Sequence, residues 1–152
     1  MDIIRAYGPA EPRLERKSVT FNGTAGNGVV GTVALFTVTG EVEILRIVPT
    51  VVLTLTEDPV PGGATLALGV TNLPALFIAA TTALNLATGE FWTEATGGGT
   101  ANSGIAIPAA LKDIAVTSNI IGTVAVDDIT GGTLRFDVIW RPLSANGLVV
   151  AV

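Results

Sequence analysis

The apolar residues of this chain come in short runs of Val, Ile, Leu, Thr and Ala, and glycine or a turn dipeptide ends almost every run. Runs rich in β-branched and aromatic residues, such as residues 32–38, favour strands. Residues 133–140 also alternate between apolar and polar positions, as a half-buried strand requires. The apolar positions of that run are Leu134, Phe136, Val138 and Trp140. We expect Phe136 and Trp140 to be core residues.

Turn signals separate the predicted strands. Asn22-Gly23 and Asn27-Gly28 are turn dipeptides, because Asn and Gly tolerate the positive φ that tight hairpin turns need. About ten short strands at close spacing predict an all-β fold. We expect a single β-sandwich or barrel-like domain over residues 18–152.

Two segments leave the strand assignment open. Pro49 is expected to divide an apolar stretch into strands at residues 41–48 and 50–56. Residues 76–81 are predicted to form a strand, and a short helix over residues 75–87 is the alternative, because alanine is a good helix former.

Charged residues are too few to cover the surface of a folded chain with this composition. Hydrophobic residues make up 49% of the 152 residues and charged residues 14%, against about 25% charged in an average soluble protein. Contiguous apolar patches usually mark contact surfaces. We therefore expect a subunit of an assembly and not a monomer.

Two residue types that the chain lacks exclude several kinds of catalytic and metal-binding site. The chain has no cysteine and no histidine, which excludes disulfides and Ser-His or Cys-His nucleophile pairs within it. We expect no enzyme activity, no cofactor and no metal site. The net charge of −5 predicts no general attraction to nucleic acid. The longest charge-free stretch, residues 59–89, contains three prolines, so we predict no membrane span. The N-terminus lacks the apolar region of a signal peptide.

The first 17 residues differ from the rest of the chain. They hold Pro9, Pro12 and four of the eight basic residues, and they show no sustained periodicity. This predicts an extended arm over residues 1–17, before a domain that starts at Ser18. The arm either docks on a partner, since arginine and tyrosine are favoured at interfaces, or is a disordered tail. The candidate partner-binding residues are Arg5, Tyr7, Pro9, Pro12, Arg13 and Arg16.

Two adjacent acid pairs, Glu57-Asp58 and Asp127-Asp128, are candidate carboxylate sites. One interpretation is a calcium site or a pair of hydrolytic carboxylates. The other is two solvated turns, which the sequence favours because neither pair has the spaced oxygen ligands of a calcium loop. The glycine-rich stretch at residues 26–31 lacks the residues of a phosphate loop and is predicted to be a turn.

Phe91 and Trp92 are the candidate ligand platform. Neighbouring residues of a strand point to opposite faces, so one of these rings would be exposed and able to stack on a sugar. Trp140 is assigned to the core by its alternation.

Two stretches carry a resemblance: VTFNGTAGNGVVGTVALFTVTGEV (19–42) and GGTLRFDVIWRPLSANGLVVAV (131–152). They resemble small structural proteins of tailed bacteriophages that are associated with the head, over most of residues 19–152. The resemblance implies a decoration (cement) protein, made in the host cytoplasm, that binds the major capsid protein lattice on the capsid exterior and stabilises it. It also implies a homo-oligomer, and a trimer is favoured because decoration proteins sit at three-fold positions. The alternative is a glycan- or receptor-binding β module on the virion or tail.

Overall fold

The computed structural model describes residues 11–98 and 104–152, which are almost entirely strands and turns. The strands are β1 (Arg13–Thr20), β2 (Gly31–Thr39), β3 (Val42–Glu57), β4 (Thr65–Val70), β5 (Leu73–Thr82), β6 (Trp92–Glu94), β7 (Gly97–Gly98), β8 (Lys112–Val116), β9 (Ile120–Ala125), β10 (Ile129–Pro142) and β11 (Leu148–Ala151). Two short 3₁₀ turns lie at Ala83–Asn85 and Ala109–Leu111.

Two antiparallel sheets pack face to face. One has the strand order β1-β10-β3-β8, and the other has the order β11-β2-β9-β4-β5. The strands β6 and β7 form a separate small hairpin. The inner faces of both large sheets contribute to one hydrophobic core. The predicted all-β sandwich is confirmed.

The strand β10 shows why the core lies where it does. Its residues alternate between buried and partly exposed along most of its length, as a strand with one covered face requires. Phe136 and Trp140 are 2% and 1% exposed, so their predicted core positions are confirmed. Register with β1 and β3 extends the same inner face across the sheet.

The strand β3 passes through Pro49 without a break, so the predicted division into two strands is wrong. The reason lies in the neighbouring strand. β8 pairs with β3 only from Val42 to Arg46. Pro49 lies beyond the end of this ladder, so the side of β3 that faces β8 is not paired with it there. Proline, which has no N–H to donate, is tolerated at such an edge position.

The predicted strand at residues 76–81 is confirmed, since β5 is followed only by the short 3₁₀ turn. The ladder between β4 and β5 is irregular: Leu73 pairs with Val70 and Ile78 with Leu68, and residues 74–77 bulge away between these two pairs. Gly69 permits this bulge: a Cβ on Gly69 would lie 2.2 Å from the carbonyl oxygen of Leu73.

The strand β1 begins at Arg13, five residues before the expected domain boundary at Ser18. It is an edge strand that pairs with β10 along its whole length. Its charges are accommodated because an edge strand leaves long side chains at the surface. Arg13 lies over the Trp140 ring, 5.3 Å from its centroid, and the Lys17 ammonium donates to the Val152 carbonyl oxygen. Of the expected arm, residues 1–10 lie outside the described structure.

This boundary changes what a truncation should do. Deleting residues 1–12 leaves β1 intact, so we expect the melting temperature to change by no more than a degree or two. Deleting residues 1–17 removes five of the eight β1 residues together with their ladder bonds to β10, and we expect a clear loss of stability. Thermal unfolding followed by circular dichroism compares the two chains, and equal melting temperatures would contradict the assignment of residues 13–17 to the sheet.

Candidate functional site

The two acid pairs lie in neighbouring loops, where they bind backbone N–H groups. Each of the four side chains, from Glu57, Asp58, Asp127 and Asp128, accepts at least one such bond. The donors outside the pairs are the N–H groups of Val30, Val60, Gly62, Gly63 and Ala64. Within residues 11–98 and 104–152, no three acidic side chains come together as metal ligands. The carboxylates therefore hold the loops in place by binding backbone N–H groups.

The glycine-rich stretch at residues 26–31 is a tight turn between β1 and β2. The Asn27 N–H donates to the Thr24 carbonyl oxygen at 2.8 Å. Gly28 has a φ of 126°, and a Cβ there would lie 2.0 Å from the Ile129 carbonyl oxygen. Glycine is needed for this close backbone approach, which agrees with the predicted turn.

The aromatic pair does not form an exposed platform. Trp92 is fully buried, and its indole N–H donates to the Thr81 hydroxyl at 2.9 Å. Its ring meets Phe136 edge to face, with 6.5 Å between the centroids. Phe91 is half-buried and bridges to Thr50 of β3. Trp92 is therefore packed inside the sandwich, and Phe91 is the ring of the pair that stays partly accessible.

The predicted arm residues are not gathered into one site. Arg5, Tyr7 and Pro9 lie outside the described residues, and Pro12 directly precedes β1. Arg13 stacks on Trp140, as described above, and Arg16 binds Asp137 of β10. These two arginines are thus held on the sheet.

The outer face of the four-stranded sheet is rich in cations, which the sequence analysis did not predict. Register places five basic side chains and two carboxylates on this face. The basic residues are Arg16, Arg46, Lys112, Arg135 and Arg141, and the carboxylates belong to Glu43 and Asp137. Five positive and two negative charges leave a net +3 on this face, in a chain whose net charge is −5. We call it the cationic face.

Ion pairs neutralise only some of the positive charges on the cationic face. Asp137 is shared by Arg16 and Arg135, and Glu43 binds Arg141. Arg46 lies directly opposite Lys112 in the β3–β8 ladder, and neither forms an ion pair within the described part of the chain. Like charges directly opposite each other are unfavourable in a sheet. The pair is therefore suited to a partner that supplies negative charge.

The outer face of the five-stranded sheet, in contrast, is uncharged. None of the five strands β2, β4, β5, β9 and β11 contains a charged residue. The outward positions, assigned from register, are Thr32, Ala34, Thr37, Thr39, Thr65, Ala67, Ala80, Thr82, Ile121, Thr123, Ala125, Leu148 and Val150. Two of them, Ala67 and Ile121, are buried, and Leu73 and Pro74 lie over Gly69 beside them. We call this the neutral face. At one side, the β5 bulge forms an open depression of about 310 Å³ lined by residues 73–76.

No helix among the described residues is long and apolar enough to cross a membrane. Compared with models of known protein families, with curated proteins and with solved structures, the chain gives no match. The interpretation of the two faces therefore depends on their own chemistry.

Proposed function

We propose that this chain is a structural virion protein that decorates a phage capsid and stabilises it by binding the major capsid protein lattice. The observation that carries the proposal is the contrast between the two outer faces of one small sandwich, one cationic and one neutral. A protein that attaches to a shell and to its own copies needs two separate contact surfaces, and the two faces are candidates for them. The resemblance of residues 19–42 and 131–152 to phage head proteins supports the same function.

The cationic face is the surface that we assign to the shell. Its net charge opposes that of the whole chain, so it would steer and orient the protein on an acidic partner surface. Arginine suits such a contact because its planar guanidinium binds carboxylates with two parallel hydrogen bonds. The action would be mechanical: the sandwich adds buried area between neighbouring capsid subunits that internal pressure strains.

The arm and the oligomeric order belong to the same proposal. We assign residues 1–12, which precede the edge strand β1, to a contact with a neighbouring subunit through Arg5 and Tyr7. Three-fold positions of a lattice favour a trimer. The glycan-binding alternative needs one exposed ring at residues 91–92, and with Trp92 buried that ring would be the half-buried Phe91.

Cosedimentation with purified capsids of the parent phage tests the proposal. We expect the wild-type chain to pellet with capsids and Arg46→Glu to bind at least about tenfold more weakly, because a carboxylate placed against an acidic surface is repelled. Binding should also weaken as salt screens the contact.

A double variant serves as the matched control. Val60→Glu with Leu84→Glu lowers the net charge by the same two units, at positions that are 78% and 53% exposed and outside the cationic face. It should bind like the wild type. If the wild-type chain stays in the supernatant, the proposed function is wrong. If Arg46→Glu and the control bind equally well, the cationic face is not the surface that contacts the shell.

A further inference from the structure

We propose that Asn27 is a site of spontaneous deamidation, in which its side-chain amide becomes a carboxylic acid. The inference goes beyond the proposed function and does not depend on it. The chain contains three Asn-Gly pairs, at residues 22–23, 27–28 and 146–147. Glycine favours the reaction because it has no side chain to hinder attack by its own nitrogen. All three pairs share this advantage, so the fold decides which of them reacts.

The reaction takes place between the two residues of the pair. The glycine nitrogen gives its proton to hydroxide or water and attacks the asparagine Cγ. A new C–N bond forms, the bond from Cγ to the amide nitrogen breaks, and that nitrogen takes up a proton and leaves as ammonia. Water then opens the succinimide ring at either carbonyl carbon, which gives aspartate or isoaspartate. A hydrogen bond donated by the glycine N–H or accepted by the asparagine Oδ1 must break first, and this slows the attack.

The first pair, at residues 22–23, is held at both reacting groups. The Asn22 Oδ1 accepts hydrogen bonds from the Thr24 N–H at 3.1 Å and from the Thr24 hydroxyl at 2.6 Å. The Gly23 N–H donates to the Ile129 carbonyl oxygen at 3.1 Å. Both the side chain and the attacking nitrogen are therefore restrained.

The third pair, at residues 146–147, is restrained in the same way. The Asn146 Oδ1 accepts a hydrogen bond from the Ser144 hydroxyl at 2.8 Å. The Gly147 N–H donates to the Ser144 carbonyl oxygen at 3.0 Å. One serine thus holds both reacting groups of this pair.

The pair at residues 27–28 differs at both groups. Asn27 is exposed, and its backbone is bonded to Asn22 and Thr24. Within residues 11–98 and 104–152, however, its side chain forms no hydrogen bond and the Gly28 N–H has no acceptor. The Asn27 Cγ can therefore approach the Gly28 nitrogen without breaking a bond at either reacting group, which is the positional advantage that a ring closure needs.

Isoaspartate at this position has a structural consequence. It adds a methylene to the main chain directly before Gly28, where even a Cβ would lie 2.0 Å from the Ile129 carbonyl oxygen. The isoaspartate form, which ion exchange separates by its additional negative charge, should melt several degrees below the unconverted chain. Asn27→Asp adds the charge without the methylene and should melt close to the wild type. Equal melting temperatures of the two forms would contradict this consequence.

Peptide mapping by mass spectrometry tests the inference on the folded full chain after incubation at mildly alkaline pH. Conversion increases the mass of a peptide by the difference between an amide and an acid, and fragmentation assigns it to one residue. We expect Asn27 to convert at least about tenfold faster than Asn22 or Asn146, because each of the other two pairs must first break two or more hydrogen bonds.

The matched control is the same chain in urea, where the turns are unfolded and the three pairs should convert at similar rates. In the folded chain, Ser144→Ala removes the hydroxyl that holds Asn146 and should speed conversion of Asn146 while leaving Asn27 unchanged. Circular dichroism confirms that this variant is folded. Conversion of Asn27 no faster than that of Asn22 and Asn146 in the folded wild type would overturn the inference. An equal preference for Asn27 in urea would also overturn it, because the fold would not be the cause.

Discussion

Replacing Trp92 by alanine is expected to lower the free energy of unfolding by about 3–5 kcal/mol. Trp92 is fully buried between the sheets, so truncation loses the transfer free energy of the ring and leaves a cavity beside Phe136. It also removes the donor to the Thr81 hydroxyl. The loss corresponds to a fall in melting temperature of roughly 6–20 °C for a chain of this size. Urea unfolding followed by tryptophan fluorescence or circular dichroism measures it.

A comparison of two conservative variants separates packing from hydrogen bonding. Trp92→Phe leaves the Thr81 hydroxyl without its donor, whereas the Trp140 indole N–H has no hydrogen-bond partner among the described residues. The Thr81 hydroxyl keeps its own donated bond to the Ala79 carbonyl oxygen, so the variant loses one hydrogen bond, which contributes about 0.5–1.5 kcal/mol. Trp92→Phe should therefore be more destabilising than Trp140→Phe by about 1 kcal/mol. Equal losses would show that the Trp92–Thr81 hydrogen bond contributes nothing measurable.

Replacing Gly28 by alanine is the second change with a large expected effect. The backbone at Gly28 has a φ of 126°, and the new Cβ would clash with the Ile129 carbonyl oxygen. That oxygen accepts a bond from the Gly23 N–H, and the Ile129 N–H donates to Gly28. Strained backbone and overpacking each cost about 1–3 kcal/mol, so we expect a total loss of about 2–6 kcal/mol.

Gly26 provides the matched control in the same turn. Its φ is 78°, but no atom lies within 4 Å of an added Cβ. Gly26→Ala should therefore cost only the left-handed backbone penalty, about 1–2 kcal/mol. If the two alanine variants unfold at the same denaturant concentration, the close approach between Gly28 and Ile129 is not what requires glycine there.

The sequence predicts the strands best where one face of a strand is buried and the other is open. Residues 133–140 belong to β10, whose alternation follows directly from its place in a sheet with one covered side. The course of β3 through Pro49 depends on where β8 stops pairing. The start of β1 at Arg13 depends on its edge position next to β10. Local sequence does not show which strands lie beside β1 and β3. The predicted start of the domain at Ser18 and the predicted end of a strand before Pro49 are therefore both wrong.

The candidate surfaces depend on register even more strongly. Arg46 and Lys112 are 66 positions apart in the sequence, and only the β3–β8 ladder makes them neighbours. The sequence also does not show which ring of the 91–92 pair is buried, because alternation places the two side chains on opposite faces of the strand but does not identify the covered face. One signal of the neutral face is visible in the sequence: the charge-free stretch at residues 59–89 contains all of β4 and β5.

A cryo-electron microscopy reconstruction of the parent phage capsid, with and without this protein, tests the central claim most directly. We expect extra density on the capsid exterior into which the β-sandwich fits, with the cationic face toward the major capsid protein. Capsids that show no added exterior density at saturating protein would contradict the claim that this chain is a decoration protein.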